Sequence, residues 1–153
     1  MNAQKNDAEW TLLIKAAKSR LHHRVISPFV EAGNVAAAIM TDQGNIYTGV
    51  CIDTSCSLGM CAERNAVANM ITCGESRITR LVCIKGNDIV GSPCGSCREL
   101  LMQLDRNSGD IEILTDQKTF SSVKLKQLVP DWWAEGLFET VENWNWLDRD
   151  DDD

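Results

Sequence analysis

The sequence lacks three features that mark common classes of protein. It contains no run of about 18 apolar residues, which argues against a membrane-spanning helix. Residues 1–9 are polar and mixed in charge, unlike the basic and then apolar layout of a secretory signal. Positive charge is also scarce, with 15 Lys and Arg against 22 Asp and Glu and a net charge of −7. The chain therefore has no basic footprint for a nucleic-acid polymer, and we expect a small uncharged or cationic substrate.

Much of the acidic charge lies at one end of the chain. Residues 148–153 contain five Asp and one Arg, and subtracting their charge of −4 from the total of −7 leaves −3 for the rest. We interpret this tail as a solvated end that aids solubility. The chain has 153 residues, is 44% hydrophobic and shows no repeat or linker, so we expect a single domain over 1–153 with the tail at its end.

The seven cysteines do not form the pattern of a disulfide scaffold. Their number is odd, the chain is of ordinary size and a secretory signal is missing, so we expect a reducing, cytoplasmic setting. Three of the cysteines are predicted to bind a metal, which leaves Cys51, Cys56, Cys73 and Cys83. Cys73 and Cys83 lie in apolar segments and are predicted to be small core residues.

Hydrophobic periodicity and turn residues predict helices and strands in alternation. The predicted elements are a helix over 10–21, strands over 35–40 and 46–52, a helix over 61–73, a strand over 78–85, a helix over 94–104, a strand over 111–114, a short helix over 123–128 and an aromatic-rich helical segment over 131–146. This order indicates an α/β fold, a mixed sheet that starts with an antiparallel hairpin and carries helices on both faces. Ligands of such sheets collect near strand C-termini and helix N-termini.

Two cysteine motifs, each at the start of a predicted helix, carry the chemistry. Cys94 and Cys97 form a Cys-x-x-Cys pair, and Cys61 begins the earlier helix. Backbone amides and the dipole at a helix N-terminus favour thiolates. Three protein ligands with one open position are typical of a catalytic Zn²⁺ site, whereas four protein ligands are typical of a structural one. The motifs therefore predict a zinc ion whose fourth position is left to water.

Glu63 is the predicted catalytic residue. It follows Cys61 by two positions, so both side chains can face one metal only in the first turn of the helix. A carboxylate there can take a proton from water at the open position and deliver protons to a ring nitrogen and to a departing amine. A Glu at a helix N-terminus is otherwise explained by the helix dipole, but the neighbouring cysteine motifs favour catalysis.

Two arginines are candidates for balancing the charge of the sulfur ligands. Zn²⁺ with three thiolates carries a net negative charge, which weakens the metal as a Lewis acid. Arg64, next to Glu63, is the first candidate for offsetting that charge, and Arg98, next to Cys97, is the second. A surface salt bridge is the alternative for each of them.

Cys61-Ala62-Glu63-Arg64, followed by Pro93-Cys94-Gly95-Ser96-Cys97, resembles the motifs of the cytidine deaminase-like zinc hydrolases. The version with three cysteines is that of the small tetrameric cytidine deaminases and the blasticidin S deaminases, and the match spans about residues 30–133. The resemblance implies a three-layer α/β/α fold and Zn²⁺ held by the three motif cysteines. It also implies hydrolytic deamination of a cytosine-type nucleoside, with Arg64 offsetting the thiolate charge. By the same resemblance we expect a homotetramer, with a dimer as the fallback.

Substrate contacts are also implied by the resemblance. The backbone amide of Ala62 would meet the pyrimidine carbonyl, and Ser92 is assigned to the same substrate site. Trp132 and Trp133 lie where the blasticidin S deaminases place aromatic residues near the site. One of the two would cover a flat ring; packing is the alternative.

The chain departs from the nucleoside deaminases on the sugar side of the site. Their Asn-x-Glu pair for ribose hydroxyls corresponds here to Cys51-Ile52-Asp53, and a Phe that lines the sugar corresponds to Gly33 or Asn34. Asp53 is either a hydroxyl acceptor or a turn residue. A blasticidin S-type or other small aminoheterocycle is therefore the alternative substrate.

Two other classes of function compete with a deaminase. In a structural zinc module, one of the remaining cysteines would close a four-sulfur site, and Glu63 would have no role. In a thiol redox protein, Cys94 and Cys97 would act as a redox pair and the Cys61 motif would be idle. His22 and His23 fall outside the motifs and are expected to be exposed or capping residues.

Overall fold

The computed structural model describes the backbone of residues 2–141 and the side chains of residues 6–139. The elements in chain order are α1 (Asn2–Lys18), β1 (Arg24–Ser27), β2 (Val30–Thr41), β3 (Ile46–Thr54), α2 (Ala62–Thr72), β4 (Ile78–Lys85), α3 (Gly95–Met102), a 3₁₀ turn (Ser108–Asp110), β5 (Glu112–Asp116), β6 (Ser121–Lys124), α4 (Leu125–Leu128) and α5 (Leu137–Val141). No helix in the described part of the chain is long and apolar enough to cross a membrane.

Strand β2 is the centre of a six-stranded mixed sheet. One edge of β2 pairs with β3 along its length, and the other edge pairs first with β1 and then with β4, all antiparallel. Strands β4 and β5 are parallel, and β6 returns antiparallel to β5. The predicted mixed sheet with an antiparallel hairpin near its start is therefore confirmed.

The alternation of side chains along β2 and β4 divides the core into two layers. On one face, Leu81 and Cys83 belong to a cluster with residues of α2 and α3. On the other face, Val82 and Ile84 pack with Trp10 of α1. Helices therefore cover both faces, as predicted, and α2 and α3 share a face.

Helix α2 is held tightly against β3. A Cβ atom added to Gly49 would lie 2.3 Å from the Ala66 nitrogen and 2.4 Å from the Ala62 oxygen, so only glycine permits this approach. The side-chain amide of Asn65 also donates to the Val50 carbonyl at 2.7 Å. These contacts fix the start of α2 above the sheet.

Several predicted boundaries are wrong. Strand β2 begins at Val30 instead of residue 35, and β1, which precedes it, was not predicted. The helix predicted over 123–128 is shortened to Leu125–Leu128, because Val123 and Lys124 pair with β5 as part of β6. Strands as short as β1 and β6 contain too few alternating residues to be distinguished from loops in the sequence.

The C-terminal prediction is only partly correct. Residues 131–136 are not helical, and Gly136, with φ at +82°, immediately precedes α5. The predicted helix over 131–146 is thus reduced to α5 among the described residues, and the rest of that prediction lies beyond them. Cys73 is a further correction, because it is exposed at the end of α2 and not in the core.

Candidate metal and deaminase site

The two cysteine motifs meet at one point above the sheet. Cys61 and Cys94 are the N-cap residues of α2 and α3, both with extended backbone, and Cys97 lies in the first turn of α3. The Sγ atoms of Cys61 and Cys94 are 3.6 Å apart, as are those of Cys94 and Cys97. All three sulfurs lie within 4.8 Å of one another. The structure therefore brings the three predicted ligands together.

The spacing of the sulfurs suits zinc. Tetrahedral Zn–S bonds of about 2.3 Å place two sulfurs roughly 3.8 Å apart, close to the separations observed here. Among the described residues, the group that can hold a metal comprises these three cysteines and no fourth residue. This donor set fits a zinc site with three protein ligands.

The electrostatic environment differs between the buried Cys97 and the more exposed Cys94. Burial and then the charge of Glu63 raise the pKa of the Cys97 thiol. Burial acts against ionisation of Cys94 as well, but hydrogen bonds led by the Cys97 backbone N–H lower its pKa below the usual value. A divalent cation at the centre of the group would favour the thiolate form of every ligand.

Arg64 lies beside the sulfurs, as predicted for a charge-balancing residue. Its guanidinium forms a hydrogen bond with Cys61 and interacts with Cys97, and the first of these contacts is the main cause that raises its pKa. Its Nε is buried and has no hydrogen-bond partner among the described residues. This placement differs from the surface salt bridge that was the alternative for Arg64.

Glu63 occupies the first turn of α2, where the sequence prediction requires it to be. Its side chain is 4% exposed, a degree of burial that is unusual for a carboxylate. Its charge acts on Cys97 from within the same cluster. Ala62, the first residue of α2, is fully buried, and its N–H is among those that the helix leaves without an intrahelical partner.

Arg98 contacts backbone and hydroxyl groups around the second motif. Its Nε donates to the Pro93 carbonyl at 2.8 Å, and its terminal nitrogens donate to the Leu128 carbonyl at 3.2 Å and to the Ser92 hydroxyl at 3.1 Å. Arg98 thus holds the segment that presents Cys94, and it also engages Ser92, the residue assigned to the substrate site.

The residues of the expected sugar side lie at the ends of β2 and β3. The Cys51 thiol is buried, accepts the Val35 N–H at 3.3 Å and donates to an Asp53 carboxylate oxygen at 3.4 Å. Gly33 has a φ of +85°, and a Cβ there would lie 2.0 Å from the His22 carbonyl oxygen. No other residue type fits at position 33, which with Asn34 is one of the two positions that correspond to the Phe of the nucleoside deaminases.

Among the described residues, both tryptophans form side-chain hydrogen bonds with α3, and neither forms one with the three cysteines. Both indole N–H groups donate to Glu99, Trp132 at 3.1 Å and Trp133 at 2.8 Å. Trp132 is 9% exposed and stacks on Phe138, whereas Trp133 is 72% exposed. This supports packing for Trp132, the alternative given above.

The comparisons with known proteins agree with this geometry. The sequence profile described as "Cytidine and deoxycytidylate deaminase zinc-binding region" matches residues 6–108, well over half of the chain. The chain belongs to this deaminase family. It is therefore a zinc-dependent aminohydrolase, as the cysteine motifs predicted.

Relatives and solved structures extend the match. This deaminase is 34% identical over 98 residues to the cytidine deaminase of Mycobacterium tuberculosis. The aligned region covers 63% of this chain and 70% of the relative. A probable cytidine deaminase of Dictyostelium discoideum is 32% identical over 99 residues, 61% of this chain and 65% of that one. The crystal structure of the cytidine deaminase from Mycobacterium leprae superimposes with a TM-score of 0.65 at 29% identity, covering 79% of this chain and 97% of that chain.

Some residues that position the site of the deaminase were not predicted. Asn65 ties α2 to β3, and Glu99 joins α3 to the two tryptophans. Asn65 lies four residues after Cys61 and Glu99 two residues after Cys97, but nothing in the sequence shows which distant group each one meets.

Proposed function

We propose that this deaminase converts a cytosine-type nucleoside, such as cytidine, deoxycytidine or a modified cytosine nucleoside, to its uracil form with release of ammonia. One observation carries the proposal: the nearly fully buried Glu63 lies in the first turn of α2, next to the N-cap residue Cys61, which forms a metal-capable group with Cys94 and Cys97 of α3. A buried acid beside a three-sulfur site suits a proton-shuttling hydrolase. The matching relatives bear the name cytidine deaminase.

Each residue of the site has a distinct role in the proposal. Cys61, Cys94 and Cys97 would hold zinc, and zinc when bound activates a water molecule as a nucleophile. Glu63 accepts a proton from that nucleophile and delivers it to the ring nitrogen as the C–O bond forms. Glu63 then accepts the proton of the new hydroxyl group and delivers it to the amino nitrogen. The C–N bond breaks as the carbonyl forms, and ammonia leaves. Arg64 offsets the charge of the sulfurs.

Ammonia release by the zinc-loaded protein tests this function. Glu63→Gln should keep its zinc and lose about 10²- to 10⁴-fold in kcat, because the amide cannot exchange protons. Glu135→Gln, which changes an exposed acid, is the control. A fully active Glu63→Gln variant would refute the proposed role.

The residues on the expected sugar side of the site favour a second candidate, a substrate other than an ordinary nucleoside. The Asp53 carboxylate, shorter than Glu by one methylene, already accepts the Cys51 thiol, and position 33 holds only glycine. Turnover should therefore be compared on cytidine, deoxycytidine, cytosine, blasticidin S, N4-substituted cytidines and aminopurines. If Asp53 binds a sugar hydroxyl, Asp53→Asn should raise KM for the nucleosides but not for free cytosine. Activity on the base alone would exclude that role.

We also propose that the chain assembles into a homo-oligomer, a tetramer or else a dimer. Four large apolar side chains are more than half exposed on the β1–β2 hairpin and the loop after β3, namely Val25, Ile26, Phe29 and Leu58. The hairpin and the loop are joined by a hydrogen bond from the Ser55 N–H to the Phe29 carbonyl at 3.0 Å. Such neighbouring apolar groups are typical of subunit contacts. Light scattering should give a multiple of 17.0 kDa, and Phe29→Ser should reduce it.

A further inference from the structure

An open cavity lies on the face of the sheet that α1 covers, away from the three motif cysteines. It has a volume of about 810 Å³ and lies between α1, the turn after β4 and the turn after β5. Ile14 and Phe120 line it with apolar surface and pack against the core layer of Trp10, whereas α2 and α3 belong to the opposite layer. The cavity is therefore separate from the proposed active site.

The lining of this cavity is positively charged, although the chain as a whole carries a net charge of −7. It contains Lys15 and Lys18 of α1 and Lys118 of the turn after β5, against one acid among its described residues, Asp88. Lys18 pairs with Asp88 at 2.7 Å, but the salt bridges of the described residues include neither Lys15 nor Lys118. Two ammonium groups on different walls are thus available to an anion.

Local structure explains only part of this charge. Lys15 and Lys18 lie in the last turn of α1, where the helix dipole favours cations. Lys118 has no such explanation, and the nearby Asp116 is engaged within its own turn. The Asp116 Oδ1 accepts the backbone N–H groups of Lys118 and Thr119 at 2.7 and 3.1 Å. Like charges around one cavity repel one another, and an anion between them removes that repulsion.

The two turns that border the cavity are held in position. The Gln117 side-chain amide donates to the Asp88 carbonyl at 2.7 Å, and the Lys18–Asp88 pair joins the same turn to α1. In the described part of the chain, the residues other than glycine with positive φ are Asp88 at 61° and Phe120 at 53°. Aspartate tolerates this conformation, but a bulky aromatic residue rarely adopts it. Strained backbone of this kind concentrates at ligand sites.

We propose that this cavity binds a small aromatic anion of the nucleoside monophosphate class. The flat ring lies on Phe120 and Ile14, where it gains from burial and stacking. The phosphate group lies between Lys15 and Lys118, since lysine binds phosphate as a point charge. The volume is in the range of small-molecule sites. This site goes beyond the deaminase reaction, because it lies on the other face of the sheet from the zinc ligands.

Calorimetric titration of the zinc-loaded enzyme with uridine 5′-monophosphate tests the proposal. This nucleotide carries no amino group that a deaminase could remove. Uridine and inorganic phosphate, which each supply one half of the ligand, should bind at least about fivefold more weakly. Lys15→Gln combined with Lys118→Gln should weaken binding of the nucleotide about tenfold. The control is Lys124→Gln combined with Lys126→Gln, which removes the same charge from two lysines that contact Asp110 elsewhere.

Two further variants separate the ring from the phosphate and this site from the zinc site. Phe120→Ala should weaken binding of uridine 5′-monophosphate but leave that of inorganic phosphate within about twofold, whereas a merely distorted turn would weaken both. Glu63→Gln should bind the nucleotide as the wild type does. A failure of the proposed deaminase function would therefore leave this result unchanged, and a failure of the second site would leave turnover unexplained by it.

Backbone NMR locates the ligand without reference to activity. Uridine 5′-monophosphate should shift the amide signals of Asp88, Gln117 and Phe120 and leave those of Gly95 and Ser96, at the start of α3, in place. No binding at millimolar nucleotide, equal affinities for the lysine double variant and its control, or shifts confined to the start of α3 would overturn the inference. Equal binding of the nucleotide and inorganic phosphate would overturn the assignment to an aromatic ligand.

Discussion

Arg98 donates from Nε to the carbonyl oxygen of Pro93 at 2.8 Å and thereby fixes the backbone directly before Cys94. The same guanidinium reaches the carbonyl of Leu128 at the end of α4. A metal ligand is thus held in place by a residue that does not need to touch the metal, a common arrangement around metal sites.

Arg98→Lys should weaken zinc binding. Lysine cannot donate in the fork geometry that contacts two carbonyls and a hydroxyl at once, so the loop before Cys94 loses its fixed conformation. We expect a loss of about 10- to 100-fold in zinc affinity, measured by competition with a chelator. Arg20→Lys, at an exposed arginine, should leave the affinity unchanged. Equal affinities for the two variants would show that Arg98 does not support the site.

Arg64→Gln should lower turnover more than it lowers zinc content. The contact of Arg64 with Cys61 offsets sulfur charge, and without it the metal becomes a weaker Lewis acid. We expect kcat to fall by about one to two orders of magnitude, and Arg64→Lys, which retains the charge, to recover part of that loss. Wild-type kcat in the glutamine variant would mean that the sulfur charge needs no offset.

Gly33→Ala should destabilise the fold far more than Gly44→Ala. Both glycines have positive φ, which costs alanine about 1–2 kcal/mol. A Cβ at Gly33 also meets the His22 oxygen at 2.0 Å, while one at Gly44 meets nothing within 4 Å. We therefore expect Gly33→Ala to cost about 3 kcal/mol or more in the free energy of unfolding, determined by urea denaturation. Similar losses for the two variants would disprove the close contact.

Tyr47 should ionise at unusually high pH. Its hydroxyl donates to Glu75 at 2.6 Å, and this hydrogen bond is the main cause that raises the pKa of Tyr47 to about 12. Because the folded-state pKa is raised, the stabilisation is complete below the usual tyrosine pKa of about 10 and is lost as the pH rises through about 12.

The chain contains one tyrosine, so phenolate absorbance reports on Tyr47 directly. The midpoint should lie near the raised value in the wild type and fall toward the usual one in Glu75→Gln, where the carboxylate acceptor is gone. A wild-type midpoint near 10 in protein that circular dichroism shows to be folded would contradict the assignment.

The sequence predicted the metal site better than the elements around it. Cys61, Cys94, Cys97 and Glu63 could be identified because a zinc hydrolase requires a fixed ligand set at helix starts, and the structure brings these residues together. The pattern of apolar residues also predicted the mixed sheet and the helices on both faces, since burial imposes periods that the sequence displays.

What the sequence did not reveal depends on distant pairings. Nothing in the local pattern shows that Gly33 packs on the His22 carbonyl, or that Glu99 accepts hydrogen bonds from two tryptophans 33 and 34 residues away. Strands β1 and β6 each have four residues and are defined by their partners rather than by their own composition. Contacts of this kind become visible only when the chain is folded.

X-ray absorption at the zinc edge tests the central claim most directly. The account predicts one zinc per chain, with three sulfur ligands at about 2.3 Å and one oxygen ligand at about 2.0–2.2 Å, and loss of one sulfur in Cys61→Ala. A shell of four sulfurs, or a spectrum that Cys61→Ala and Cys97→Ala leave unchanged, would contradict it.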